Sequence, residues 1–238
     1  MWYRVVLFYV LTFFLTMVLG GLQEATGAGV GLITLPQLAP GLAGLLMLAI
    51  FRKGRLRLSF SLNRRQAARL LPAALLPVSA GLVLVLLLHV SGIQPLSAVS
   101  FSVTLLGAPG MLAGAFGEEL GWRGYLHKSV DRKLRPALSS LLVGVLWALW
   151  HVGLYQNGAV YMLFAVILIT SYAFVAYALV RDIDFNVWVA TLFHFAINMS
   201  NLMYLQVMTD TRLMAINALV WAALAAIVWG RKGLLKRG

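Results

Sequence analysis

The chain is a succession of apolar runs, each close to the length that crosses a bilayer. Eight can be marked, at approximately 3–22, 32–51, 70–90, 98–120, 136–155, 159–180, 186–207 and 213–230. A spanning helix needs about 20 mostly apolar residues. Inside lipid the backbone must satisfy its own hydrogen bonds, which only helices and closed barrels achieve. Barrel strands would alternate apolar and polar positions, and these runs are apolar throughout. The expected fold is therefore all-α: a polytopic membrane helical bundle of about eight transmembrane helices, forming a single integral membrane domain over residues 1–238. No stretch is long or polar enough for a separate soluble domain.

Charge supports this topology. The net charge of +12 would suit a nucleic-acid binder if the basic residues were clustered on one surface. With eight spans and a cytoplasmic N-terminus, 18 of the 19 Lys and Arg residues fall on the inner side. They are Arg4, the run Arg52 to Arg69, the stretch Arg123 to Arg135, Arg181 and the tail Arg231 to Arg237, with Arg212 alone outside. The positive-inside rule accounts for this excess and places both termini in the cytoplasm. The expected partner of the basic collar is a bilayer with anionic headgroups on the cytoplasmic side, with no nucleic acid. The expected location is the plasma membrane. Cysteine is absent, which removes thiolate and disulfide chemistry. No Walker loop, Gly-rich dinucleotide turn or Ser-centred nucleophile motif occurs.

The first run reads as a signal anchor, because its n-region is short and no small-x-small cleavage site follows it. Glu24 lies in a Gly-rich outer segment and is expected to be solvated. Asn63 to Arg69 reads as an interfacial amphipathic turn, and Pro72 and Pro77 are expected to kink the third span. His89 reads as a wetted residue at its outer end. Pro95 and Pro109 bracket the approach to two adjacent glutamates. Between Gly107 and Gly114 small residues dominate, which permits close helix packing. The helix is expected to continue through the glutamates to about His127.

Those glutamates, Glu118 and Glu119, are costly in such a setting. An ionisable group inside a bilayer costs roughly 2.5–3.5 kcal/mol on insertion scales and marks a candidate functional site. Glu119 and Arg123 stand at i and i+4, the spacing of an intrahelical ion pair. Glu118 points about 100° away and has no such partner. A paired carboxylate stays ionised and positions its neighbours, whereas an unpaired one in a dry pocket is poised to act as a general base. The other strong polar groups within apolar runs are His151, His194 and Asn198. His194 and Asn198 share one helix face, and Asn201 continues that stripe. At about 1.5 Å per residue, Glu118 and His194 lie roughly 14 Å below the cytoplasmic edge and His151 roughly 22 Å. Convergence of the three therefore requires tilt or side-chain reach.

These segments resemble the CPBP intramembrane protease family, which includes the CAAX prenyl endopeptidases and the bacterial Abi proteins. Its Glu-Glu-x-x-x-Arg motif matches Glu118-Glu119-Leu-Gly-Trp-Arg123, and its His-x-x-x-Asn motif matches His194-Phe-Ala-Ile-Asn198. The motif usually written Phe-x-x-x-His matches Trp147-Ala-Leu-Trp-His151, with Trp in place of Phe. The substitution is aromatic and is expected to leave the chemistry untouched. The core so defined covers approximately 98–205.

The resemblance implies an intramembrane endopeptidase opening towards the cytoplasm and acting on a peptide or protein substrate at the membrane. By that likeness Glu118 activates a water that His151 helps to hold, while His194 and Asn198 stabilise the oxyanion; Glu119 and Arg123 form a supporting ion pair. The residues independently supply a base, a histidine and donors for water attack on an amide. The cofactor stays open. A divalent metal such as zinc, with Glu118, His151 and His194 as candidate ligands, is one reading. Metal-free glutamate catalysis is the favoured one, because no His-Glu-x-x-His spacing is present. Two other classes remain. One is a catalytically silent scaffold or bacteriocin-immunity-type binding protein that uses the same polar cluster. The other is an ion-coupled transporter, less well supported because no inverted repeat is visible.

Overall fold

The computed structural model describes residues 2–27, 29, 33–51, 56–92, 101–202 and 209–234. Pro95, the ends of the core at 98–100 and 203–205, and part of the basic runs at 52–55 and 235–238 lie outside the described residues. The described chain is helical, with no strand. In order come α1 (Trp2–Thr26), a 3₁₀ turn (Leu35–Leu38) leading into α2 (Ala39–Ile50), α3 (Arg64–Val90) and α4 (Phe101–Glu119). A π-helical segment (Leu120–His127) links α4 to the short α5 (Lys128–Asp131). Then follow α6 (Pro136–Trp150), a 3₁₀ segment (Val152–Asn157), α7 (Ala159–Val180), α8 (Val187–Asn201) and α9 (Thr211–Arg231).

The protein is an integral membrane protein with an all-α fold. Four helical stretches, in α1, α3, α7 with its short extension, and α9, are by themselves long and apolar enough to cross a membrane, while Leu35–Ile50 and Pro136–Trp150 are apolar but shorter. The interior is organised around α7, which packs on α6 and α9, with α3 and α4 against α8 and α2 against the π segment. α1 is peripheral and exposes Val6, Val10, Phe14 and Met17, the surface lipid would cover. Polar contacts tie particular helices together. Tyr9 donates to the Leu146 carbonyl at 3.0 Å and the Trp150 indole to Thr16 Oγ1 at 2.8 Å, tying α1 to α6. The Trp229 indole donates to the Phe174 carbonyl at 2.7 Å, tying α9 to α7.

Several boundaries differ from the sequence expectation for local reasons. Arg64 to Arg69 forms the first part of α3 rather than a separate turn. Asn63 caps that helix by accepting from the Arg65 amide at 3.0 Å, the usual task of an N-cap amide. Pro72 and Pro77 both lie inside α3. α6 stops at Trp150 rather than near 155, because His151 leaves helical geometry at ψ 61°. The helix does pass through the glutamates to His127, but as α-helix only to Glu119. Glu24 is exposed, whereas its neighbour Gln23 is buried and accepts from the Leu35 amide at 2.8 Å.

What positions the site is a close crossing of α4 and the π segment with the chain at 37–41. A Cβ on Gly117 would sit 2.9 Å from the Gln37 carbonyl oxygen, and one on Gly121 would collide with the Pro40 carbonyl. A Cβ on Gly114 would occupy the place of the Gln37 side-chain amide. Glycines at these positions let two backbones approach to a distance that larger residues forbid.

Candidate active site

Glu118 and Glu119 stand where α4 gives way to π geometry, a change of helix type that recurs at functional sites. Both carboxylates are buried, at 1% exposure. Arg123 Nη1 donates to Glu119 Oε1 at 2.7 Å, and His194 Nδ1 lies 2.9 Å from the same oxygen. An ionised carboxylate only accepts, so the proton of that second bond belongs to Nδ1, and Nε2 of His194 faces away from Glu119. The i,i+4 pair is thus also the support of the histidine on α8.

Among the described residues Glu118 has no ionic partner, but it does have hydrogen-bond donors. The Trp147 indole donates to its Oε2 at 2.7 Å, and the Gln37 amide donates to its Oε1 at 3.1 Å. Each oxygen keeps acceptor capacity for a further donor. The expectation that Trp in place of Phe leaves the chemistry untouched is therefore corrected: a phenyl ring has no N–H to give. Trp147 also organises the neighbouring rings. The Arg123 guanidinium lies 4.0 Å over its face, a cation–π contact. The rings of His194 and His151 stand edge-to-face at 5.3 and 5.9 Å.

His151 occupies the C-terminal cap of α6. Its Nδ1 lies 2.8 Å from the Trp147 carbonyl oxygen, which again only accepts and so fixes the proton on Nδ1. Nε2 is left as the acceptor of a neutral ring. His151, His194, Asn198 and Trp147 line one cavity of about 130 Å³, whose walls include Leu154, Leu168 and Ile197. Asn198 is half-buried there, one turn beyond His194. His151 at the end of α6 and His194 within α8 line the same cavity, despite the 8 Å depth difference that linear counting along the spans implied. Trp147, on the cavity wall, carries the bond to Glu118 Oε2.

The local sequence explains the support of α8. Asn186 caps it by accepting from the Val189 amide at 3.1 Å, and the same side chain donates to the Ser61 carbonyl at 2.7 Å. Lys128, just beyond the π segment, pairs with Asp184 at 2.7 Å and donates to the Arg57 carbonyl at 2.6 Å. His127 is a packing residue, buried against Tyr177 and Phe185.

The donor set does not fit a zinc site. Among the described residues no three His, Asp or Glu side chains are grouped to hold one ion. The oxygens of Glu118 face N–H donors, whose positive ends oppose a cation.

Residues 100–200 match the family model described as "Type II CAAX prenyl endopeptidase Rce1-like". Over this stretch the chain is similar to the CAAX prenyl endopeptidases. Curated relatives agree. CAAX prenyl protease 2 of Methanococcus maripaludis is 31% identical over 133 residues, covering 51% of this chain and 48% of the relative. Lysostaphin resistance protein A of Staphylococcus haemolyticus is 27% identical over 157 residues, covering 60% and 41%. The Staphylococcus aureus (strain Newman) protein of the same name is 24% identical over 202 residues, covering 79% and 46%. The chain spans less than half the length of these relatives. The match covers α4 through α8 and so contains every motif residue, whereas Gln37 lies outside it.

Two features were not singled out from sequence: Gln37 and the indole of Trp147. A signal for the first exists, since Gln37 is the one strongly polar side chain between Leu35 and Ile50.

Proposed function

We propose that this chain is an intramembrane endopeptidase that hydrolyses peptide bonds of a membrane-associated substrate, with Glu118 as the base. The observation that carries the reading is a buried carboxylate held by Trp147 and Gln37 beside two histidines of fixed tautomer. The single-domain core over approximately 98–205 is its scaffold, in a bundle of eight spans with its active site opening to the cytoplasm.

In this mechanism Glu118 takes a proton from water as the water oxygen attacks the amide carbonyl carbon. His151 Nε2 accepts the second water hydrogen and orients the nucleophile. The tetrahedral oxyanion receives the Asn198 amide and His194 Nε2–H, the latter as an imidazolium whose charge the Glu119 carboxylate balances. As the C–N bond breaks, Glu118 returns its proton to the leaving nitrogen, giving an acid and an amine. No step runs through a metal. Chelation is expected to leave turnover unchanged, and chelator inactivation reversed by one metal would overturn this part. The prenylated substrate implied by one relative's name is not carried over.

The test is turnover by purified protein in micelles, given a pool of transmembrane peptides and read by mass spectrometry of the products. Wild type is expected to cleave and Glu118→Ala is not. A second reading, a silent binding protein, is supported by relatives named for lysostaphin resistance rather than for catalysis. It predicts peptide retention without cleavage by both forms.

A further inference from the structure

A second cavity, separate from Glu118, lies at the helix ends. It is formed where α1 begins, α2 ends and α5 leads into the next turn, and has a volume of about 270 Å³. Three cationic side chains line it: Arg4, Arg132 and Lys133. Its floor is apolar, with Met47 and Leu48, and Tyr125 and Ser129 add hydroxyls.

The cations are unneutralised. Among the described residues none of the three forms an ion pair. Asp131, next in sequence to Arg132, is engaged elsewhere: it accepts from Tyr177 Oη at 2.6 Å and lies 3.7 Å from Arg181. Arg4 is also oriented. Its guanidinium stacks 4.4 Å over Phe51 and its Nε donates to Tyr3 Oη at 3.0 Å, which leaves the terminal nitrogens as a planar fork. Such a fork matches phosphate oxygens geometrically.

We propose that this cavity binds the phosphate group of an anionic lipid. Three cations around a concave site demand an anion, and the apolar floor suits a ligand that continues into hydrocarbon. The helix-end location is where headgroups lie. The volume falls just short of the roughly 300 Å³ at which drug-sized pockets begin, room for a headgroup and the first carbons it carries, with the rest of the acyl chains outside. The site does not depend on the proteolytic reading.

The experiment uses delipidated full-length protein in neutral detergent, with thermal unfolding followed as phosphatidylglycerol, phosphatidylcholine or inorganic phosphate is titrated in. Wild type is compared with Arg132→Gln/Lys133→Gln and with Arg64→Gln/Arg65→Gln, an exposed pair outside the cavity that removes the same charge. Phosphatidylglycerol is expected to raise the unfolding temperature of wild type and of the Arg64/Arg65 variant. The Arg132/Lys133 variant is expected to need about thirtyfold more lipid for the same shift, from about 1 kcal/mol for each of the two basic residues. Equal weakening in both variants overturns the site in favour of general surface charge. An equal shift with phosphatidylcholine overturns the need for net negative charge. Full stabilisation by inorganic phosphate, with no further gain from lipid, overturns the lipid as its source.

Discussion

At the scale of single residues, the two glutamates divide their tasks by what they touch. Glu119 is bonded to Arg123 and His194, so removing it strands a buried guanidinium. Glu119→Ala is expected to cost about 3–5 kcal/mol of stability, the penalty for breaking a buried pair, and activity with it. Thermal unfolding in detergent checks this. Glu118 has only neutral donors, so Glu118→Ala is expected to keep the fold while losing the base. Trp147→Phe is the sharper test. It keeps an aromatic ring beside both histidines and removes one hydrogen bond to a charged acceptor, worth about 1.5–3 kcal/mol. A fall in kcat of about ten- to hundredfold per folded molecule is expected, with a lowered melting temperature from the lost bond; wild-type kcat in the folded fraction would show the indole to be incidental. The Glu119–Arg123 contact is legible in the i,i+4 spacing. The partners of Glu118 are not, because Gln37 lies 81 positions away and only packing brings it there.

At the scale of elements, the site depends on how closely the 37–41 segment approaches α4. The small-residue stripe was readable as a close-packing surface, but its partner was not, since apolar runs carry no mark of which neighbour they choose. Gly121→Val forces a side chain against the Pro40 carbonyl. The expected cost is about 1–3 kcal/mol from overpacking, together with lost activity as Gln37 is pushed off Glu118. Loss of stability with unaltered kcat in the folded fraction would detach Gln37 from the chemistry. Helix ends were the least legible feature. His151 terminates α6, and π geometry begins after Glu119, both through tertiary contacts that local pattern does not encode. The cap of α8 is local. Asn186→Ala is expected to destabilise by about 1–2 kcal/mol, having removed both the cap and the bond to Ser61, and chemical denaturation in micelles would measure it.

At the scale of the whole molecule, continuous apolar runs were enough to dictate an all-helical membrane protein, because lipid leaves the backbone little alternative. The distribution of Lys and Arg adds an orientation. With no native cysteine, single-cysteine variants report it cleanly. Ser91→Cys is expected to react with an impermeant thiol reagent in intact cells, and Arg132→Cys only after the membrane is opened; the reverse pattern would invert the topology.

The central claim is peptide-bond hydrolysis by Glu118, and the most direct measurement compares new protein N-termini in membranes from cells expressing wild type or Glu118→Ala at matched abundance. The account predicts a set of termini present only with wild type, all in membrane-associated proteins. Identical profiles, with the variant folded and inserted, would contradict it.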